Sequence, residues 1–257
     1  MKTVCVGKTR LEYVRLPSSH PREGAPAIVF LHEGLGSVSM WRDFPQKVAD
    51  ATGCEAVVYS RAGYGRSDPA KLPREPGYMH DEGRAVLPAL LAGLGLERPI
   101  LFGHSDGASI ALLCAGGTDT PLAGVIAMAP HVMVEDVSVS SIAEASVAYR
   151  TTNLPARLGK YHRDPDAAFQ GWNDIWLHPD FRDWNIEDYL TRIQCPVMAI
   201  QGEDDEYGTM DQIDRIGRGV KDVELVKLAD CRHSPHRDQP QAVIDAVAAF
   251  VERVSGD

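Results

Sequence analysis

The chain lacks the cysteine spacings of a zinc site or a disulfide-stapled domain. Its five cysteines, Cys5, Cys54, Cys114, Cys195 and Cys231, are odd in number and widely scattered, with no Cys-x-x-Cys pair. That excludes the common zinc motifs and a disulfide framework. Free thiols in a reducing cytoplasm are expected instead. Positive charge is also in deficit. Against 36 Asp and Glu there are 26 Lys and Arg, a formal net charge of -10, which argues against nucleic acid and anionic membranes as partners. No apolar run approaches the ~20 residues of a membrane helix, and no apolar segment follows Met1 to act as a secretion signal; a cytoplasmic location is expected. Gly63 and Gly65 are not followed by Gly-Lys-Ser/Thr, so they do not read as a phosphate loop. No cofactor and no metal are expected.

What is present reads as an α/β protein. At 257 residues, with 44% hydrophobic and 24% charged residues, the chain has the composition of an ordinary globular domain. Thr3–Val6 and Leu11–Leu16 pattern as an antiparallel hairpin. The apolar runs Ala27–Leu31, Ala56–Tyr59, Ile100–Phe102, Val125–Met128 and Val197–Gln201 pattern as strands covered on both faces. Helical segments lie between them (Met40 to Ala51, and Gly77–Gly93 with a kink at Pro88), and Gln239–Val254 is an amphipathic closing helix. Such alternation predicts a mostly parallel sheet flanked by helices. It stops between His131 and Arg192, which holds Trp172, Trp176 and Trp184 among other aromatics. This stretch is too long for a loop and is expected to be a helical cap insertion (131–192) within a single domain (1–257).

The chemistry concentrates at Gly103-His104-Ser105-Asp106-Gly107, between a short apolar run and a small-residue helix. Glycines two residues either side of the serine permit a turn sharp enough to leave its hydroxyl exposed at a helix N-terminus. A serine hydroxyl needs a base, and the base an orienting acid. Candidates lie downstream, after the strand Val197–Gln201 and beyond the short strand Val223–Val226: Asp204 or Asp205, and His233 or His236.

Four separated motifs resemble the α/β-hydrolase superfamily. They are His32-Glu33-Gly34 with Trp41 nine residues beyond the histidine, Ser60-Arg61-Ala62-Gly63-Tyr64-Gly65-Arg66-Ser67, the Gly103–Gly107 elbow, and Gly202-Glu203-Asp204-Asp205 followed by Arg232-His233 and Pro240. The order Ser, Asp, His is also the one that superfamily uses. The resemblance implies Ser105 as nucleophile. It selects Asp205, three residues after Gly202, and His233, seven before Pro240, over their neighbours. It further implies the amides of Asp106 and Gly34, with Glu33 as the alternative to Gly34, as the oxyanion hole. The sequence departs from the pattern at Glu33, Ser60, Asp106 and Arg232. Glu33 and Asp106 are expected to place negative charge near the oxyanion.

His32 is expected to brace the oxyanion loop, and His104 to be a packing residue. His131 is left between the pocket and a packing role. The reading is a cofactor-independent serine hydrolase acting on a small-molecule substrate, a neutral ester or lactone. C–C bond and thioester hydrolysis, and a receptor that retains the triad, are the alternatives. A homo-oligomer is compatible with this composition.

Overall fold

A computed structural model describes residues 1–256. Eight strands form one sheet: β1 Lys2–Val6, β2 Thr9–Leu16, β3 Ile28–Leu31, β4 Ala56–Tyr59, β5 Ile100–His104, β6 Gly124–Met128, β7 Val197–Gly202 and β8 Val223–Leu228. Their spatial order is β1-β2-β4-β3-β5-β6-β7-β8. The hairpin of β1 and β2 is antiparallel, β2 joins β4 antiparallel, and every later pairing is parallel. The predicted mostly parallel α/β sheet is therefore the one observed.

Period-2 alternation within the strands splits the core in two. Val29, Leu31, Val57, Leu101, Val125 and Ala199 face one layer, which includes the helices Leu87–Gly93 and Asp106–Gly117. Ile28, Phe30, Val58, Phe102, Ile126 and Ile200 face the other, under the helices Phe44–Thr52 and Pro240–Ser255. β3 to β7 are buried throughout, as expected of strands covered on both faces.

Two local predictions shift. The helical segment from Met40 begins instead as a 3-10 turn, Val38–Trp41, and becomes α-helical only at Phe44–Thr52. The segment expected to kink at Pro88 contains a π-helical turn, Glu82–Val86, immediately before Leu87–Gly93. A wider turn there absorbs the hydrogen bond that the proline nitrogen cannot donate.

Between β6 and β7 the chain forms the helices Asp136–Thr151, Leu154–Leu158, Pro165–Trp176 and Glu187–Leu190 and the 3-10 turn Pro179–Phe181. The Asn173 side chain ties the first of these to the third. It accepts from Ser146 Oγ at 2.5 Å and donates to the Ile142 carbonyl at 2.9 Å. Phe181 stacks on Trp184 (centroids 5.4 Å apart) and meets Trp176 edge-on at 5.1 Å. Much of the aromatic content that marked this segment is thus its own packing. Among the described residues, no helix is long and apolar enough to cross a membrane.

Candidate active site

Ser105 stands between β5 and the helix Asp106–Gly117 with φ 53° and ψ −121°, a left-handed conformation that a non-glycine residue adopts only when its surroundings enforce it. The flanking glycines allow the turn by close approach. A Cβ on Gly103 would overlap the Gly107 carbonyl and Ala108, and one on Gly107 would strike the Leu31 carbonyl of β3. No side chain fits at either position.

His233 Nε2 lies 3.0 Å from Ser105 Oγ, and His233 Nδ1 lies 2.8 and 2.9 Å from the two Asp205 oxygens. With its proton on Nδ1 donated to Asp205, the imidazole presents a lone pair to the serine hydroxyl. Asp205 is fixed by further donors: the Tyr207 amide at 2.8 Å, the Gly208 amide at 3.2 Å and Gln201 Nε2 at 2.8 Å. Burial disfavours its charge, but His233 and these hydrogen bonds hold its carboxyl below the ordinary range. For His233, burial opposes protonation, and the charges of Asp205, Glu206 and Glu33 outweigh it, so the imidazole is raised above its usual value.

The two competitors lie elsewhere. Asp204 is exposed. His236 packs between Trp41 and Phe44 at 5.1 and 5.5 Å, and burial pushes it down to about 2, leaving a neutral ring in an aromatic cluster.

The loop after β3 is oriented by a residue that the sequence patterns passed over. Arg61 is completely buried. Its Nη1 donates to the His32 carbonyl at 2.5 Å and its Nη2 to the Glu33 carbonyl at 3.1 Å. The Arg61 amide donates to His32 Nε2 at 3.1 Å, so the His32 proton sits on Nδ1, which donates to the Glu33 carbonyl at 2.7 Å. Burial lowers His32 well below the imidazole range and keeps it neutral. The Gly36 amide adds a third donor to that carbonyl at 3.0 Å.

In a trans peptide the C=O and N–H point in opposite directions. Three donors on the Glu33 oxygen therefore turn the Gly34 N–H the other way, and Gly34 shares the lining of a cavity with Ser105 and Asp106. The Asp106 N–H opens the helix Asp106–Gly117, where backbone donors are unpaired and the dipole favours an anion. Both expected oxyanion donors thus border the serine.

The familiar pattern Asp-x-Arg-Gly would put its arginine at position 62, which is Ala62. The buried guanidinium comes from the neighbouring position instead. Ser60, where the pattern has aspartate, accepts from the Val38 amide and donates to Glu12 Oε1 at 2.6 Å. A carboxylate from β2 is thereby hydrogen-bonded to the position where the pattern has aspartate.

The two acidic departures behave differently. The Asp106 side chain is buried, accepting from Tyr78 Oη at 2.7 Å and from Trp176 Nε1 at 3.2 Å. Burial works against the charges of Arg61 and Arg74, and Tyr64, Tyr78, Asp106 and Glu82 around them together offset it. The Asp106 carboxylate is therefore held by two hydrogen-bond donors with two buried cations nearby, and adds less bare negative potential than expected. Glu33 remains at the cavity, with its side chain one-fifth exposed, 3.6 Å from His104 Nδ1 and 3.9 Å from Arg237. Burial disfavours its ionisation, yet His104 and nearby histidines bring it well below the ordinary carboxylate range. His104 is also more than packing, for its Nε2 donates to the His233 carbonyl at 2.7 Å.

The cavity has a volume of about 120 Å³, and its wall includes His131, Ile142, Trp172, Trp176 and Tyr207. His131 is pushed down to about 3 by burial and by neighbouring His233, so it faces the site neutral. A larger cleft of about 770 Å³ lies at the far end of the helix Asp106–Gly117, around Gly117 and Arg192, and holds none of these groups. Chemistry, not size, selects the site.

The sequence profile described as "Alpha/beta hydrolase family" matches residues 28–246. The chain belongs to the alpha/beta hydrolase family. It is 23% identical over 235 residues to the 2-hydroxy-6-oxo-6-phenylhexa-2,4-dienoate hydrolase of Comamonas testosteroni, covering 80% of this chain and 81% of that one. It is 24% identical over 248 residues to the human serine hydrolase BPHL, covering 91% and 82%. Among solved structures, the proline iminopeptidase of Mycobacterium smegmatis superposes with a TM-score of 0.79 at 19% identity, covering 99% and 98%. That similarity speaks for the fold.

Proposed function

We propose that this member of the hydrolase family is a serine hydrolase that cleaves carboxylic esters or lactones through an acyl-enzyme on Ser105. The observation that carries the reading is the continuous hydrogen-bonded line from Asp205 through His233 to Ser105 Oγ, ending at a cavity that Gly34 and Asp106 also line. His233 Nε2 takes the hydroxyl proton as Ser105 Oγ bonds to the acyl carbon. The carbonyl oxygen, now negative, is held by the Gly34 and Asp106 N–H groups, each worth about 3 kcal/mol of barrier. As the C–O bond breaks, His233 returns the proton to the leaving alcohol oxygen. Water then loses a proton to the same nitrogen and attacks the acyl-enzyme, and Ser105 departs protonated.

The helices between β6 and β7 act in this reading as a cap, which is supported by Ile142, Trp172 and Trp176 lining the cavity that holds Ser105. In this reading the substrates are neutral and small to medium in size, because Glu33 carries charge at the cavity. Similarity to the Comamonas hydrolase supports C–C bond hydrolysis as a second reading, with the same groups acting on a diketone.

A rate panel of neutral p-nitrophenyl esters, lactones, thioesters and vinylogous 1,5-diketones tests the choice. Turnover led by esters or lactones and abolished by Ser105→Ala supports the proposal. Turnover confined to the diketones would replace it with the second reading.

A further inference from the structure

Two tryptophans one turn apart on the helix Pro165–Trp176 use their indole N–H groups differently. Trp176 donates to Asp106 Oδ1 at 3.2 Å. Trp172 is 93% buried, at 7% exposure, and no acceptor among the described residues meets its Nε1. Its pyrrole edge lies directly on Gly34, so that a Cβ on that glycine would collide with Trp172 Nε1 and Cδ1. The unpaired indoles of Trp41 and Trp184 are sealed from any ligand. Trp172 Nε1 is not among those sealed atoms, and Trp172 lines the cavity that also holds Ser105 and Asp106.

A buried donor bordering a binding cavity selects what binds there. A hydrocarbon group placed against it strips it of water and gives no acceptor in return, whereas an oxygen satisfies it. The position of the donor fixes where that oxygen must be. Gly34 N–H is the donor for the scissile carbonyl oxygen in the reaction proposed above, and Trp172 Nε1 touches the same glycine. What it reaches is within a bond or two of that carbonyl. The leaving-group oxygen is excluded as its partner, because that atom must lie at His233 Nε2 to receive a proton.

We propose that Trp172 is a specificity-determining residue whose indole N–H donates to an oxygen on the carbon next to the scissile carbonyl. The favoured substrates are then esters of short α-alkoxy, α-hydroxy or α-oxo acids over hydrocarbon acyl esters of equal size. This rests on the ester-hydrolase reading and narrows it.

The test uses p-nitrophenyl methoxyacetate and p-nitrophenyl butyrate, which differ by one oxygen in place of a methylene. In the wild type, the kcat/KM ratio of the two, divided by the ratio of their hydroxide-catalysed rates, is expected to exceed about tenfold. Trp172→Phe, which keeps most of the ring and removes the N–H, should lower the ratio of kcat/KM for the methoxyacetate to that for the butyrate about tenfold, whatever the change common to both esters. A corrected wild-type ratio near one, or an equal loss on both esters in the variant, overturns the proposal. The wild-type ratio decides the matter even if the variant fails to fold. Hydrolysis of neither ester by the wild type would instead defeat the ester-hydrolase reading and this inference with it. Turnover of both without discrimination defeats the inference alone.

Discussion

The buried guanidinium of Arg61 donates at 3.1 Å to the carbonyl of Glu33, and through that peptide it sets the direction of the Gly34 N–H. Arg61 touches neither Ser105 nor His233 by hydrogen bond, so it acts through the backbone of the oxyanion loop. Arg61→Lys keeps the charge but replaces a planar fork by a single point of donation that cannot hold the His32 and Glu33 carbonyls together. The expected outcome is a loss in kcat approaching the ~100-fold cost of one oxyanion donor, with KM changed by less than about threefold. Steady-state kinetics on a neutral ester, with thermal unfolding as a control, checks it. A rise in KM at unchanged kcat would show that the loop binds substrate without orienting an oxyanion donor.

Paired substitutions separate the groups in line with Ser105 from their sequence neighbours. Asp205→Asn and His233→Ala should each lower kcat by about three orders of magnitude or more, because the members act as a unit. Asp204→Asn should stay within about twofold of wild type, since that side chain is exposed and outside the hydrogen-bonded line. Rates on one ester under saturating conditions distinguish them, and a severe loss at Asp204 would reassign the acid.

The acid limb of kcat/KM should have its midpoint above pH 6.5. His233 is raised in the fold, so the protonated ring, which cannot accept the serine proton, persists to higher pH than a free imidazole would. Glu206 contributes to that rise and accepts from the His233 amide at 3.2 Å. Glu206→Gln should move the midpoint to lower pH with little change in the plateau rate. A pH–rate profile of each protein reads both shifts, and a midpoint below 6.5 in the wild type would contradict the electrostatics.

Asp106→Asn should destabilise the fold by about 2 kcal/mol, because an amide has one acceptor oxygen for the two buried donors Tyr78 Oη and Trp176 Nε1 that the carboxylate satisfies. Urea unfolding measures this, and a loss under about 0.5 kcal/mol would show that the two hydrogen bonds to the carboxylate add little to stability.

Most of the architecture could be read in advance because buried parallel strands announce themselves as apolar runs, as Ile28–Leu31 and Ala56–Tyr59 do. The helix Asp211–Gly219 gives a weak sequence signal because its burial rests on few positions, the polar Gln212 with Ile213 and Ile216. At the site, spacing from Gly202 and Pro240 selected Asp205 and His233, the pair that meets across 28 residues. Arg61 could not be found that way. It stands one position from where the pattern holds an arginine, and only the fold turns it back under the His32 loop. The Glu12–Ser60 contact spans 48 residues between β2 and the end of β4, and no local signal couples them. Asp106 was legible as a backbone donor, but not as a carboxylate held by Tyr78 and Trp176, since those partners come from separate helices.

The central claim, that Ser105 is the nucleophile, is tested most directly by intact-protein and peptide mass spectrometry after reaction with a fluorophosphonate. The account predicts one adduct per chain, mapped to Ser105, that is absent in Ser105→Ala and strongly slowed in His233→Ala. A stoichiometric adduct on any other residue, or none on a folded wild-type protein that still hydrolyses esters, would contradict it.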